Sequence, residues 1–157
     1  MTPNLITREG YENLNSSLFE MTTKKRLEVA KEIEIARGFG DLSENAEYQY
    51  AKEKQGQLER KVAEISDYLM NCEIIERAMG PSGVVCFGST VKILNLDTDD
   101  IQRFKIVGER ESDIKKEKIS YKSPLGKELL GKRAGDDIEF VTPSGEKFFE
   151  ILEVFSY

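Results

Sequence analysis

Two carboxylates, Asp41 and Glu44, stand three residues apart in the segment Gly40-Asp41-Leu42-Ser43-Glu44-Asn45-Ala46-Glu47-Tyr48. Around a tight turn, or on the first turn of a helix, that spacing puts both on one side. Two readings of the pair are open. In the first, Asp41 is a helix N-cap and Glu44, at the third helical position, returns the bond as in a capping box. In the second, both project as oxygen ligands for a hard cation. Mg²⁺ is commonly held by one or two carboxylates, with waters and substrate phosphates filling the other positions. Two carboxylates on an exposed segment bind such an ion weakly, so the pair works only by completing a site that belongs to something else.

Little other chemistry is available to this chain. It has 157 residues and no histidine, which removes imidazole as nucleophile partner, general base or metal ligand. The two cysteines, Cys72 and Cys86, are too few for a zinc site and read as reduced, ordinary core thiols. Net charge is −6, from 23 basic and 29 acidic residues. Residues 1–76 carry 10 basic and 15 acidic side chains and residues 77–157 carry 13 and 14, so neither half has the positive excess of a duplex-binding domain. No run of about 18 apolar residues and no signal-peptide pattern is present, and a cytoplasmic protein is expected.

The elements that must position Asp41 and Glu44 are legible from periodicity. Tyr11, Leu14, Leu18, Met21, Lys25, Val29, Ile33 and Ala36 recur at steps of three and four, with Lys25 interrupting an apolar row and consecutive fours resembling a stutter. Thr7 is the expected N-cap of this helix. A second row, Tyr48, Ala51, Gln55, Leu58, Val62, Ile65, Leu69 and Cys72, alternates strictly. Gly38-Phe39-Gly40 between them ends the first helix, and a short link makes the two antiparallel. Each helix is expected to run ~30 residues, or roughly 45 Å. Residues 1–77 are thus a helical hairpin, residues 78–84 a Pro/Gly-containing linker, and residues 85–157 a globular domain. In that domain Val84–Leu96 and Ile101–Val107 read as strands around Asp97-Thr98-Asp99-Asp100. Ser123-Pro124 opens a short helix, and a hairpin turns at Thr142-Pro143-Ser144-Gly145. Phe87, Ile93, Phe104, Phe140, Phe148 and Phe155 are its expected core. The fold class is α+β, an antiparallel hairpin followed by a small antiparallel sheet domain.

From Leu5 onward the sequence resembles the GreA/GreB transcript cleavage factors of bacteria, and within them the GreA type. The resemblance is carried by Ala36-Arg37 with Gly40–Tyr48, then by Gly88-Ser89-Thr90-Val91, Ile106-Val107-Gly108, Ser123-Pro124-Leu125-Gly126 and Leu130-Gly131-Lys132. It implies a coiled-coil hairpin followed by a domain similar to FK506-binding proteins. It also implies a partner, bacterial RNA polymerase, whose secondary channel the hairpin enters. The counterparts of Asp41 and Glu44 there help hold a second Mg²⁺ in the polymerase site, so that the polymerase cleaves the 3′ end of backtracked RNA and elongation resumes.

On this resemblance the factor is an accessory in trans, not an enzyme, with no cofactor of its own beyond the shared Mg²⁺, and a monomer without a membrane partner. Arg37 and Lys52 correspond to the family's RNA-contacting basic patch. Lys52 stands where arginine is frequent, which offers a point charge in place of a planar fork. Asn45 and Tyr48 are expected to orient the tip, and Ser123, Pro124, Leu125 and Gly126 to form a polymerase-docking loop. Gly38-Phe39 departs from the family pattern, and Phe39 is expected to fold onto Leu42. The competing functions are a channel binder that inhibits polymerase, and a prolyl isomerase or chaperone of the FK506-binding type.

Overall fold

In the computed structural model, which describes residues 2–78 and 80–156, the two apolar rows lie face to face. Helix α1, Arg8–Glu20, continues through a π-helical segment, Met21–Lys25, into α2, Arg26–Arg37. Helix α3, Ala46–Met70, returns antiparallel. Met21, Val62 and Ile65 are buried together, with Leu18, Leu58 and Leu69 packed against them. Across the hairpin Arg26 donates to both Glu59 oxygens at 2.8 and 2.9 Å, and Lys54 donates to Glu32 at 3.0 Å. Six residues forward on one helix match five residues back on the other, the register of an antiparallel pair.

The π segment accounts for the interrupted row. Eight residues separate Met21 from Val29, roughly 80° more than two turns of α-helix at about 3.6 residues per turn. The Arg26 N–H donates to the Met21 carbonyl, five residues back, so one extra residue is absorbed and both side chains return to the same face. Both are buried while Lys25 is exposed. Thr22 and Thr23 hydroxyls donate to the Phe19 carbonyl at 3.1 and 2.7 Å, supplying bonds where the regular ladder is interrupted.

The second row ends one element earlier than its spacing predicts. Cys72 lies not on α3 but at the start of strand β2, Cys72–Ile75, which pairs in parallel with β1, Asn4–Thr7. That pairing moves the domain boundaries. The chain folds as two units, Tyr11–Asn71 and residues 2–10 together with 72–156, in place of the expected division at residues 77 and 85. Thr7 caps α1 as expected, its hydroxyl accepting the Gly10 N–H at 3.0 Å. The Glu111 carboxylate accepts the N–H groups of Thr7 and Gly108 at 3.0 and 2.8 Å, and the Thr7 hydroxyl as well, tying the first residues into the C-terminal unit. Met79 of the expected linker lies outside the described residues, as do Met1 and Tyr157 of the expected domains.

The rest of that unit is a five-stranded sheet in the order β5-β4-β3-β7-β6, with β3 Thr90–Asn95, β4 Ile101–Val107, β5 Lys118–Ser120, β6 Asp137–Thr142 and β7 Gly145–Phe155. The expected hairpins at residues 97–100 and 142–145 are present, but β5 joins β4 in parallel, so the sheet is mixed. The first strand begins at Thr90, not Val84. Gly88 adopts φ +90° and the Ser89 N–H turns back to the Cys86 carbonyl at 3.0 Å, breaking the run. Val85, Val91, Ile93, Phe104, Ile106, Ile119, Leu129, Ile138, Phe149 and Ile151 form the core. Phe87 is buried too, and Phe140 and Phe155 are half-buried. Phe148 is exposed, because β7 pairs Ile138 with Phe149 and so turns Phe149 inward. Cys72 and Cys86 are half-buried, not core. None of the described helices is long and apolar enough to cross a membrane.

Candidate functional site

The link between α2 and α3 is built from its caps. Gly38 is the C-cap of α2, and Gly40 takes φ +117°, a conformation that favours glycine and lets the chain reverse. At the other side Asn45, in an extended conformation, is the N-cap of α3: its Oδ1 accepts the Tyr48 N–H at 3.0 Å. The same side chain donates from Nδ2 to the Ala36 carbonyl at 2.6 Å, so one residue ties the end of α2 to the start of α3. Gln49, which the sequence did not single out, donates to the Ser43 carbonyl at 2.9 Å and holds the loop from the next turn. Its only signal was a position one turn beyond an amide cap. Tyr48 is half-buried and its backbone is committed to the cap.

Because Asn45 caps the helix, the capping-box reading of the acidic pair fails. Asp41 and Glu44 both precede α3 in the loop, and both are exposed. Asp41 Oδ1 accepts the Ser43 N–H at 3.0 Å and the Ser43 hydroxyl at 2.9 Å, a closed local turn that fixes the carboxylate. These bonds, the backbone one first, hold the Asp41 carboxyl below the usual aspartate range. Asp41 Oδ2 and the Glu44 carboxylate have no protein partner among the described residues. No group of three or more acidic, Cys or His side chains suited to a metal ion occurs among them either. Asp41 is thus held in place and Glu44 is not, and the two exposed carboxylates fit a divalent cation only as part of a larger ligand shell.

Arg37 ends α2 and Lys52 lies on α3, both exposed, with Lys52 donating to Gln55 at 3.0 Å. Phe39 does not fold away: it is 66% exposed, and Leu42 is 39% exposed. In the C-terminal unit, Ser123 caps helix α4, Pro124–Leu129, by accepting the Gly126 N–H at 3.1 Å, and its hydroxyl donates to the Ser120 carbonyl at 2.6 Å. Gly126 is buried against that same carbonyl, where a Cβ has no room. Ser123 is half-buried and, with Pro124 and Leu125, lines an apolar cleft of about 330 Å³ together with Ile114, Ile119 and Phe140.

Comparison with known proteins places both units in one family. Residues 4–74 match the family described as "Transcription elongation factor, N-terminal", and residues 80–156 match "Transcription elongation factor, GreA/GreB, C-term". The chain is 47% identical over 149 residues to the transcription elongation factor GreA of Nautilia profundicola, covering 95% of this chain and 92% of that one. It is 46% identical over 150 residues to GreA of Helicobacter hepaticus, at 96% and 92% coverage. Among solved structures, the GreA factor homolog 1 (Gfh1) of Thermus thermophilus is similar at 26% identity and a TM-score of 0.43, covering 97% of this chain and 98% of that one. With the hairpin unit and the sheet unit matched in order along nearly the whole sequence, the chain belongs to the GreA/GreB family of transcription elongation factors.

Proposed function

We propose that this factor binds RNA polymerase, presents the hairpin tip to the polymerase active centre through the secondary channel, and stimulates cleavage of the RNA 3′ end in backtracked complexes. One observation carries the reading: Asn45 performs the capping, which leaves Asp41 and Glu44 exposed in the loop with oxygens unused by the protein. The loop closes the hairpin at the end opposite Tyr11 and Asn71, about 37 Å along α3 from its last residue at 1.5 Å per residue.

Each residue has a role in that setting. The Ser43 bonds hold Asp41 Oδ1, which turns Oδ2 outward as an ionised ligand, and Glu44 supplies the second carboxylate. Asn45 and Gln49 keep the loop in one shape before the partner is met, so little ordering is left to the binding step. Arg37 and Lys52, on opposite helices, offer cations to the phosphates of the extruded RNA. Asp41 and Glu44 would contribute ligands to a Mg²⁺ shared with the polymerase, and that ion would supply charge stabilisation for phosphodiester hydrolysis. The exposed apolar side chains of the Pro124–Leu125 cleft are the docking face of the C-terminal unit. The factor acts as a monomer and supplies ligands, while the polymerase performs the reaction.

The test is a stalled, backtracked elongation complex with end-labelled RNA. Wild-type factor is expected to speed release of short 3′ fragments. Asp41→Asn and Glu44→Gln should compete for the polymerase as wild type does, yet lose cleavage stimulation by about 100-fold or more. Equal activity from the neutralised variants refutes the reading.

A further inference from the structure

Close to the acidic loop, the side of the hairpin carries an open slot of about 420 Å³. It is lined by Ala36, Ala46 and Ala51, of which Ala36 and Ala51 are buried, by Ile35 and Tyr50, and by Glu32 and Glu47. Ile35 is 56% exposed and Tyr50 68% exposed, so two large side chains stand open to solvent beside the slot. A slot lined by alanine methyl groups with one aliphatic and one aromatic side chain suits an apolar group. Tyrosine at an exposed position adds contact area at low conformational cost, the composition of an interface anchor.

The surrounding charge selects the occupant. Residues 28–54 carry seven carboxylates against four cations. On the slot itself, Glu47 has no protein partner among the described residues, and the second acid, Glu32, is bound to Lys54 at 3.0 Å. The lining itself holds these two carboxylates and no cation, a setting that attracts a basic polypeptide.

We propose that this slot is a second grip on the polymerase: it takes an apolar side chain from a polypeptide segment that carries Lys or Arg next to it, the cation pairing with Glu47. The inference rests on the reading of the chain as a polymerase-bound factor and adds the surface that seats the end of the hairpin. Its energetic signature differs from that of the acidic pair. Loss of the slot weakens binding and leaves the rate at saturation intact, whereas loss of Asp41 or Glu44 does the reverse.

The experiment titrates Tyr50→Ser, Ile35→Gln and Glu47→Lys against backtracked complexes. Half-saturation and maximal cleavage rate are read separately, after circular dichroism has shown unchanged helix content. Each is expected to raise half-saturation by about 10-fold with the maximal rate unchanged, the Glu47→Lys effect shrinking as salt is added. In parallel, a photoreactive benzoylphenylalanine at position 50 should label a basic segment of polymerase. Wild-type half-saturation in all three variants, or label on RNA or on a second copy of this chain, overturns the slot while wild-type cleavage still stands. Wild-type factor without any cleavage stimulation instead overturns the underlying reading.

Discussion

At Asp41 a carboxylate is held by two bonds from Ser43, and its acidity follows from them. Ser43→Ala removes the hydroxyl bond but not the stronger backbone one, so carbon-detected NMR should find the Asp41 pKa moved up toward, but not reaching, that of an unstructured aspartate. In the wild type the lowered value means that the ionised turn contributes at full strength above the unfolded-state pKa. The contribution fades as pH falls through the lower folded one. The Asp41 carboxylate therefore keeps its charge further into acid than an unstructured aspartate does. Asn45 has the heavier structural role, since it satisfies Tyr48 N–H and the Ala36 carbonyl together. Asn45→Ala should destabilise the hairpin by about 1–2 kcal/mol in thermal unfolding, while Asn45→Asp, which keeps the acceptor and loses the donor, should cost about half as much.

Between the helices, apolar burial outweighs ion pairing. Ile65 is 3% exposed in the seam, and Ile65→Ala should cost about 2–4 kcal/mol. The Arg26–Glu59 pair is bidentate, but both side chains are nearly half exposed and screened by water, so Arg26→Met should leave the melting temperature nearly unchanged. The π segment makes a sharper forecast. Deleting Thr23 leaves seven residues between Met21 and Val29, roughly 20° short of two α-turns, so both stay on the seam. That deletion should give a continuous α-helix of unchanged or higher melting temperature. Deleting Ala30, in regular helix, should rotate Ile33 and Ala36 by about 100° and melt the tip end first, as hydrogen exchange would reveal.

On the scale of the chain, the first ten residues belong with the last eighty-odd. Ile6 is fully buried in β1, paired in parallel to β2 through Ile6↔Ile74. Ile6→Ala should lower the stability of the sheet unit by about 2–4 kcal/mol in urea while the hairpin, followed by its own amide signals, is unaffected. A hairpin cut at residues 11 and 71 retains its whole seam, whereas a C-terminal fragment starting at residue 72 leaves the Glu111 carboxylate without Thr7.

Periodicity alone determined the hairpin, since apolar residues at three-and-four spacing have one way to be buried together, and even the misfit at Lys25 marked the π turn. The turns at residues 97–100 and 142–145 and the Ser123 cap were equally local, each written in its own few side chains. Folding in three dimensions decided the rest. A four-residue strand such as Asn4–Thr7 has no period to recognise and exists only because Cys72–Ile75 comes beside it. Which of Phe148 and Phe149 points inward depends on pairing register. The division of labour at the tip is of the same kind. Asp41 and Asn45 are both good caps by composition, and only the placement of the Ala36 carbonyl beside Asn45 gave that residue the cap and left the two acids free.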